Sequence, residues 1–422
     1  MIDITNKEIK EHLFEGNFGL EREALRVLED GSFSHTPHPF PEDVHIVRDF
    51  CENQTEVNTG VRKSVKEAVE ELKEHHTRLS KKLSGYPERE YLWLFSNPPY
   101  IKNEADIPVA EFDGEYRRKT LYRDYLSEKY GRYKMTFSGI HFNFSFADAL
   151  LQKGFEQSAE ARFEDYKNKL YLKLAAGLME YGWILVAATA ASPLLDSSFL
   201  EKGRMGETVF SGMSSVRCSE LGYWNEFVPV LRYESLDAYA DSIQNYVEKG
   251  FLNSPSELYY PIRLKSEGEN DLDTLKEKGV NHIELRMFDL NPLADCGVEE
   301  RDAVFAHLLI LFICAEDDMK ITEKDQVRAV QNYKRAAHYD IENTKLVTKE
   351  GYALSVRDAA LKLLQRMKLF YQDFPESIQE VLGFEREKFI DSSRRYACMV
   401  RNRYDGDFVK KGMELAKERQ VM

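Results

Sequence analysis

Cysteine is scarce in this chain of 422 residues, with only Cys51, Cys218, Cys296, Cys314 and Cys398. None form a CxxC pair and the count is odd, which argues against a disulfide framework and against a thiolate zinc site. A reducing, cytoplasmic setting fits. Basic charge is also in deficit: 58 Lys and Arg stand against 72 Asp and Glu, a net −14. A nucleic-acid binder needs a basic face to neutralise phosphates, and none is present. The basic residues alternate with acids, as between Lys63 and Lys82, in the manner of a solvated helix face. Long apolar runs are missing. Leu174–Leu195 is interrupted by Glu180, glycines and Pro193, and Leu308–Cys314 is far shorter than the ~20 residues a bilayer span needs. Both read as buried helices, so no membrane partner is expected. The polar N-terminus, MIDITNKEIKEHL, is not a secretory signal. Glycine and proline are sparse and dispersed, and no repeat or linker divides the chain. No GxGxxG or P-loop pattern occurs, which argues against Rossmann and Walker-type nucleotide sites.

What is present suffices for a large core: 43% of residues are hydrophobic and 12% aromatic. Apolar positions at helical spacing predict an amphipathic helix over roughly 61–84. Further helices are expected at 116–130, over a long stretch 159–188, and almost everywhere beyond Val298. Among these is Val356–Tyr371, with Ser355 as N-cap and Asp358 three residues on. Five strand-like runs stand out: Phe18–Val27, Asp49–Val57, the end of Tyr133–Phe146, Tyr259–Leu264 and His282–Leu290. Irregular connections separate them, which favours an α+β fold with a largely antiparallel sheet over a doubly wound one.

Side chains alternate across a strand. That puts Glu21 with Glu23 on one face, Glu52 with Glu56, His141 with Asn143 and Ser145, and Glu284 with Arg286. Phe142, Phe144 and Phe146 take the opposite face. Taken singly, each piece has a plainer reading: an exposed pair for Glu21 and Glu23, a satisfied core residue for His141, a surface ion pair for Glu284 and Arg286. The repetition over four strands favours one acidic, metal-binding surface. Hard cations such as Mg²⁺ or Mn²⁺ prefer such oxygen ligands and tolerate an imidazole. Ions held there could clamp nucleotide phosphates, with Arg286 placed for a bidentate phosphoryl contact.

These same residues lie in motifs that resemble the bacterial glutamate–cysteine ligase family. They are Phe18–Arg26 (FGLEREALR), Asp49-Phe50 with Glu56, Ser138–Ser145 (SGIHFNFS), Ala191-Ser192-Pro193 with Ser197–Phe199, Ser215–Tyr223 (SVRCSELGY), Tyr259–Arg263 (YYPIR), Ile283–Arg286 (IELR) and Asp289–Pro292 (DLNP). They occur in family order over about residues 15–300, whereas the C-terminal third matches weakly. The resemblance implies a glutamine-synthetase-like antiparallel sheet curled into a funnel and surrounded by helices. It implies one catalytic domain over 1–422, with a sheet-bearing part to 300 and a helical part over 301–422. The implied reaction phosphorylates the γ-carboxylate of L-glutamate with ATP and lets the amine of L-cysteine displace phosphate. Glu21, Glu23, Glu56, His141 and Glu284 would be metal ligands, with Glu21, Glu284 and Arg286 at the chemistry. Arg286, and also Arg26 and Arg263, would contact phosphates. Arg217 would hold glutamate. Tyr122, Arg123, Leu126, Tyr223 and Tyr259 would line the cysteine pocket, Leu126 on the thiol side. No ATP-grasp segment follows the sheet, so γ-glutamylcysteine rather than glutathione is the expected product, and a monomer is favoured. Two other readings stay open: a γ-glutamyl ligase for another amine, and a non-catalytic binder of amino acid or nucleotide with this fold.

Overall fold

The computed structural model describes residues 6–268, 271–316 and 319–420, so the first five residues of the polar N-terminal stretch lie outside it. Its strands are β1 (Gly16–Val27), β2 (Ile46–Arg48), β3 (Gln54–Asn58), β4 (Tyr91–Leu92), β5 (Gly139–Phe146), β6 (Leu194–Asp196), β7 (Thr208–Phe210), β8 (Ile262–Lys265), β9 (His282–Asp289), β10 (Lys345–Val347) and β11 (Ala353–Ser355). The main sheet has seven strands, in the order β2-β3-β1-β5-β9-β8, with β4 pairing the end of β1. The pairs are antiparallel, so the α+β expectation holds.

Register brings the sequence motifs side by side. Glu21 pairs with His141, Glu23 with Glu56, and Asn143 with Glu284. Between Ile140 and Phe142 the β5–β9 register shifts, because β9 carries an extra residue opposite His141. Such a bulge re-aims side chains and adds twist, commonly beside a functional site. Strand alternation sends Phe18, Leu20, Phe142 and Phe144 to the other face, where all are buried. There the helix Glu300–Ala315, apolar on nearly every side, closes the core together with the helices Val65–Ser84 and Phe163–Tyr181.

Several boundaries differ from expectation. The amphipathic helix starts at Val65, capped by the Ser64 side chain, and Val61 is left exposed outside it. Residues 49–57 do not form one strand: β2 and β3 are joined by a tight turn, so Glu52 leaves the sheet face and pairs with Arg48. The long stretch 159–188 is two helices, Phe163–Tyr181 and Trp183–Thr189, meeting at 56°. The break sits at Gly182, where a Cβ would come within 2.0 Å of the Tyr333 hydroxyl, so the chain turns where that ring packs. No single helix among the described residues is long and apolar enough to cross a membrane. The region after Val298 is helical as expected, apart from the small β10–β11 ladder. Ser355 accepts a hydrogen bond from the Asp358 amide and caps Val356–Phe370.

Candidate active site

On the face of the sheet away from the phenylalanines lies a pocket of about 260 Å³. Its charged floor is Glu21, Glu23, Asp49, Glu56, His141 and Glu284 with Arg217, Lys265 and Arg286. Strands aim all of these but Asp49 and Arg217: β1 supplies Glu21 and Glu23, β3 Glu56, β5 His141, β8 Lys265 and β9 Glu284 and Arg286. The more apolar wall comes from the helix Arg117–Tyr130, which brings Tyr122, Arg123 and Leu126, and from Met135, Phe137, Tyr223 and Tyr259.

Hydrogen bonds organise the floor around His141. Its Nδ1 lies 2.9 Å from Glu21 Oε2 and 3.3 Å from Glu284 Oε1, while Nε2 is 3.8 Å from Glu23 Oε1. Asn143 donates to Glu21 Oε1 at 2.9 Å, and the Gly139 amide donates to Glu23 at 2.8 Å. Arg286 donates to Glu284 Oε1 at 3.0 Å, and Lys265 sits 3.4 Å from Glu284 Oε2.

The carboxylates are pulled apart in acidity. Burial works to raise Glu284, but Arg286, Lys265 and His141 outweigh it and hold it well below the usual carboxylate range. Glu21 is likewise held down against burial, chiefly by its bond to His141. Burial, followed by the charge of Asp49, pushes Glu23 up. Glu56 is pushed well up by burial and then by the charges of Glu21, Asp49 and Glu23. Burial and Arg286 act to lower His141, yet its bonds to Glu21 and Glu284 bring it up to about 9. Opposed shifts of this kind in one pocket are common where charged groups bind an ion or carry chemistry.

A cation fits this arrangement. The ligand atoms of Glu21, His141 and Glu284 all lie within 4.8 Å of one another. His141 Nε2 and Glu284 Oε2 are buried without a hydrogen-bond partner. Buried unpartnered atoms of this kind suit a cation, whose charge would also relieve the repulsion on Glu56.

The neighbouring loops hold the second half of the pocket. The segment after β7 is irregular and carries Arg217 and Tyr223. Asp289 anchors it by accepting from Ser215 Oγ at 2.9 Å, and also accepts at 2.6 Å from the Oγ of Ser192, just before β6. The Arg217 guanidinium lies flat over Gly139, where a Cβ would come within 2.3 Å of it. Arg217 Nη1 donates to the Phe288 carbonyl at 3.3 Å. Tyr259 packs on Tyr223 with ring centroids 4.1 Å apart. The turn before Tyr259 is pinned by the fully buried Glu257, which accepts from Lys129 Nζ at 2.6 Å and Tyr130 Oη at 2.7 Å.

All of the metal, glutamate and cysteine candidates therefore line one pocket, but two of the phosphate candidates do not. Arg26 points to the opposite side of β1, fully buried, with Nη1 2.8 Å from Glu90 and 2.7 Å from Thr36 Oγ1. Strand parity decides this, because Arg26 shares a face with Arg22 rather than with Glu21. Arg263 is on the pocket side, but Nε and Nη2 donate to the Leu258 carbonyl and Nη2 also to that of Ser256. It braces the turn that carries Tyr259 and stays out of the pocket lining. Asp49 and Lys265 are pocket residues that the pattern of alternating acids did not single out. Asp49 precedes a turn, and a lone lysine on a short strand carries no signal.

The chain resembles known proteins over most of its length. The glutamate-cysteine ligase family model matches residues 1–251 and 228–336. The glutathione biosynthesis bifunctional protein of Listeria monocytogenes serotype 4b is 34% identical over 411 residues, covering 93% of this chain and 53% of that protein. That of Clostridium perfringens is 31% identical, covering 95% of this chain and 52% of its own length. The chain thus spans about half the length of the curated relatives it matches. The crystal structure of a bifunctional glutathione synthetase from Pasteurella multocida superposes with a TM-score of 0.83 at 28% identity, covering 99% of this chain and 54% of that one. A glutamate–cysteine ligase from Francisella tularensis, solved with AMP, shares the fold with a TM-score of 0.85 at 22% identity, covering 96% of this chain and 88% of that one. The chain belongs to the glutamate–cysteine ligase family.

Proposed function

We propose that this member of the glutamate–cysteine ligase family joins the γ-carboxylate of L-glutamate to the amine of L-cysteine, using ATP through a γ-glutamyl phosphate and releasing ADP and phosphate. The product, γ-glutamylcysteine, is the first intermediate on the way to glutathione. The observation that carries this reading is the cluster of Glu21, His141 and Glu284 ligand atoms within 4.8 Å, beside Arg217 and Arg286 in one pocket.

A free carboxylate acylates amines poorly, and phosphorylation gives it a leaving group. Glu21, Glu23, Glu56, His141 and Glu284 would hold Mg²⁺ or Mn²⁺, which supplies charge neutralisation for the phosphates. Arg286, kept in place by Glu284, can reach the transferred phosphoryl group with its remaining donors. Arg217 carries the glutamate carboxylate. The apolar wall of Leu126, Met135 and Phe137 suits a short thiol side chain, with Tyr122, Arg123, Tyr223 and Tyr259 around its polar end. Residues 1–422 act as one catalytic unit, since the last helices pack back on the sheet-bearing part, as where Gly412 meets Trp93. A cytoplasmic setting suits the five cysteines, all of them buried and free.

The test is ADP release by purified protein with ATP, Mg²⁺, glutamate and cysteine. No release above a control lacking glutamate would sink the reading. A panel of amines, with mass detection of the γ-glutamyl product, then tests the acceptor. Preference for a non-thiol amine would replace cysteine while leaving the carboxylate activation in place.

A further inference from the structure

A second group of ligand-type side chains lies outside the pocket. His45, in the turn before β2, meets Glu71 and His75, one helical turn apart on Val65–Ser84, with ligand atoms all within 4.8 Å of one another. We propose that His45, Glu71 and His75 form a binding site for a late first-row divalent cation of the Zn²⁺ type, which ties this helix to the β2–β3 hairpin.

Four features carry the proposal. Residues at i and i+4 share one helix face, so Glu71 and His75 present their ends together. Their separation suits two ligands of one ion better than a bond to each other: His75 Nε2 is 3.7 Å from Glu71 Oε1, and it is buried with no hydrogen-bond partner. His45 is prearranged. Its Nδ1 lies 2.9 Å from the Asn58 carbonyl oxygen, and a proton donated there leaves the lone pair on Nε2. Metal-ligating histidines characteristically make such a bond through the other ring nitrogen. Asp43 fixes the backbone of the same turn, accepting from the amides of His45 at 2.8 Å and Ile46 at 3.1 Å. The two imidazoles then stack, with centroids 4.9 Å apart and planes 22° from parallel.

Two nitrogens and a carboxylate oxygen suit Zn²⁺ with a fourth position for water, and suit Mg²⁺ poorly. The charges around the site are mixed. Glu71 also accepts from Arg62, whose Nη2 is 2.6 Å from Oε1, and Arg78 pairs with Asp43. Arg62 is nearly half exposed and can retain its bond to Oε2 while Oε1 turns to the ion. The site lies behind β3, which carries Glu56 on its pocket face. It therefore stiffens the edge of the sheet without entering the reaction.

The test is equilibrium dialysis of the full chain against Zn²⁺ with excess Mg²⁺ present to occupy the oxygen-rich pocket. His45→Gln and His75→Gln should each bind about one Zn²⁺ fewer per chain than the unaltered protein, while Mg²⁺-supported turnover is unchanged. Zn²⁺ should raise the melting temperature of the unaltered protein and not that of the variants. Equal Zn²⁺ stoichiometry in all three proteins would overturn the proposal. The unaltered chain gives a second reading that needs no variant: Co²⁺ added under the same conditions should develop the strong visible absorption of a low-coordinate site. A spectrum identical to that of aqueous Co²⁺ would also overturn it.

Discussion

Two histidines on opposite faces of the same sheet behave as opposites. His141 sits among carboxylates and is brought up to about 9 by Glu21 and Glu284 against its burial. His307 sits among Phe14, Phe18 and Phe144, with ring centroids 4.9–6.5 Å away, and burial pushes it down to about 3. Both are buried. The difference shows that burial does not set a group's protonation; what the burial leaves next to it does. One face spends its strand positions on charge that an ion and phosphates can use, and the other on the aromatic packing that keeps those charges in register.

The largest test of this division is chemical. Glu284→Gln removes the charge that anchors both Arg286 and His141, and turnover should fall by about 10³-fold, roughly 4 kcal/mol of barrier, with the circular dichroism spectrum unchanged. Turnover within a few-fold of the unaltered enzyme would take Glu284 out of the site. Its mirror image is Phe144→Ala, which empties the core beside Phe18, Phe146 and His307. It should cost about 3–4 kcal/mol of stability in denaturant titration, while kcat per folded molecule stays close to the original. If kcat fell as it does in Glu284→Gln, the two faces would not be separable.

Acid should probe the apolar face next. His307 and His76 are each held at about 3 in the folded chain, below the ~6.5 of an unfolded histidine. Their neutral forms therefore support the fold fully above that unfolded value. Support is lost as pH falls from ~6.5 towards 3, by about 2 kcal/mol per group at pH 5. Replacing His307 with Phe should remove its share of the loss in unfolding curves at pH 7.5 and 5. An unchanged pH dependence would contradict the assignment. His141 has the reverse sign: its raised value supports the metal-free fold below ~6.5 and loses that support as pH climbs through about 9.

The smallest expected effect lies where the two halves of the pocket meet. Gly139→Ala pushes a methyl into the Arg217 guanidinium. KM for glutamate should rise about tenfold, near 1.4 kcal/mol, with a smaller change in kcat, because Glu23 keeps its bond to the residue 139 amide. An unaltered KM would mean that Arg217 does not hold the substrate.

Much of this was legible along the chain. Alternation within single strands put Glu21 with Glu23, His141 with Asn143, and the phenylalanines behind them, because a two-residue period needs no partner to be read. The buried helices and their caps followed from local spacing in the same way. Tertiary structure decided the rest. The β2–β3 turn took Glu52 off the sheet face and turned Asp49 into the pocket. The bulge on β9 set Arg286 against His141. Arg26 lost its expected role because its guanidinium meets Glu90, far along the chain. The loops around Arg217 and Tyr259 depend on Asp289 and Glu257, acids whose partners lie tens to more than a hundred residues away. Periodicity is a property of one segment and can be read from it, but a charge takes its meaning from whichever segments fold against it.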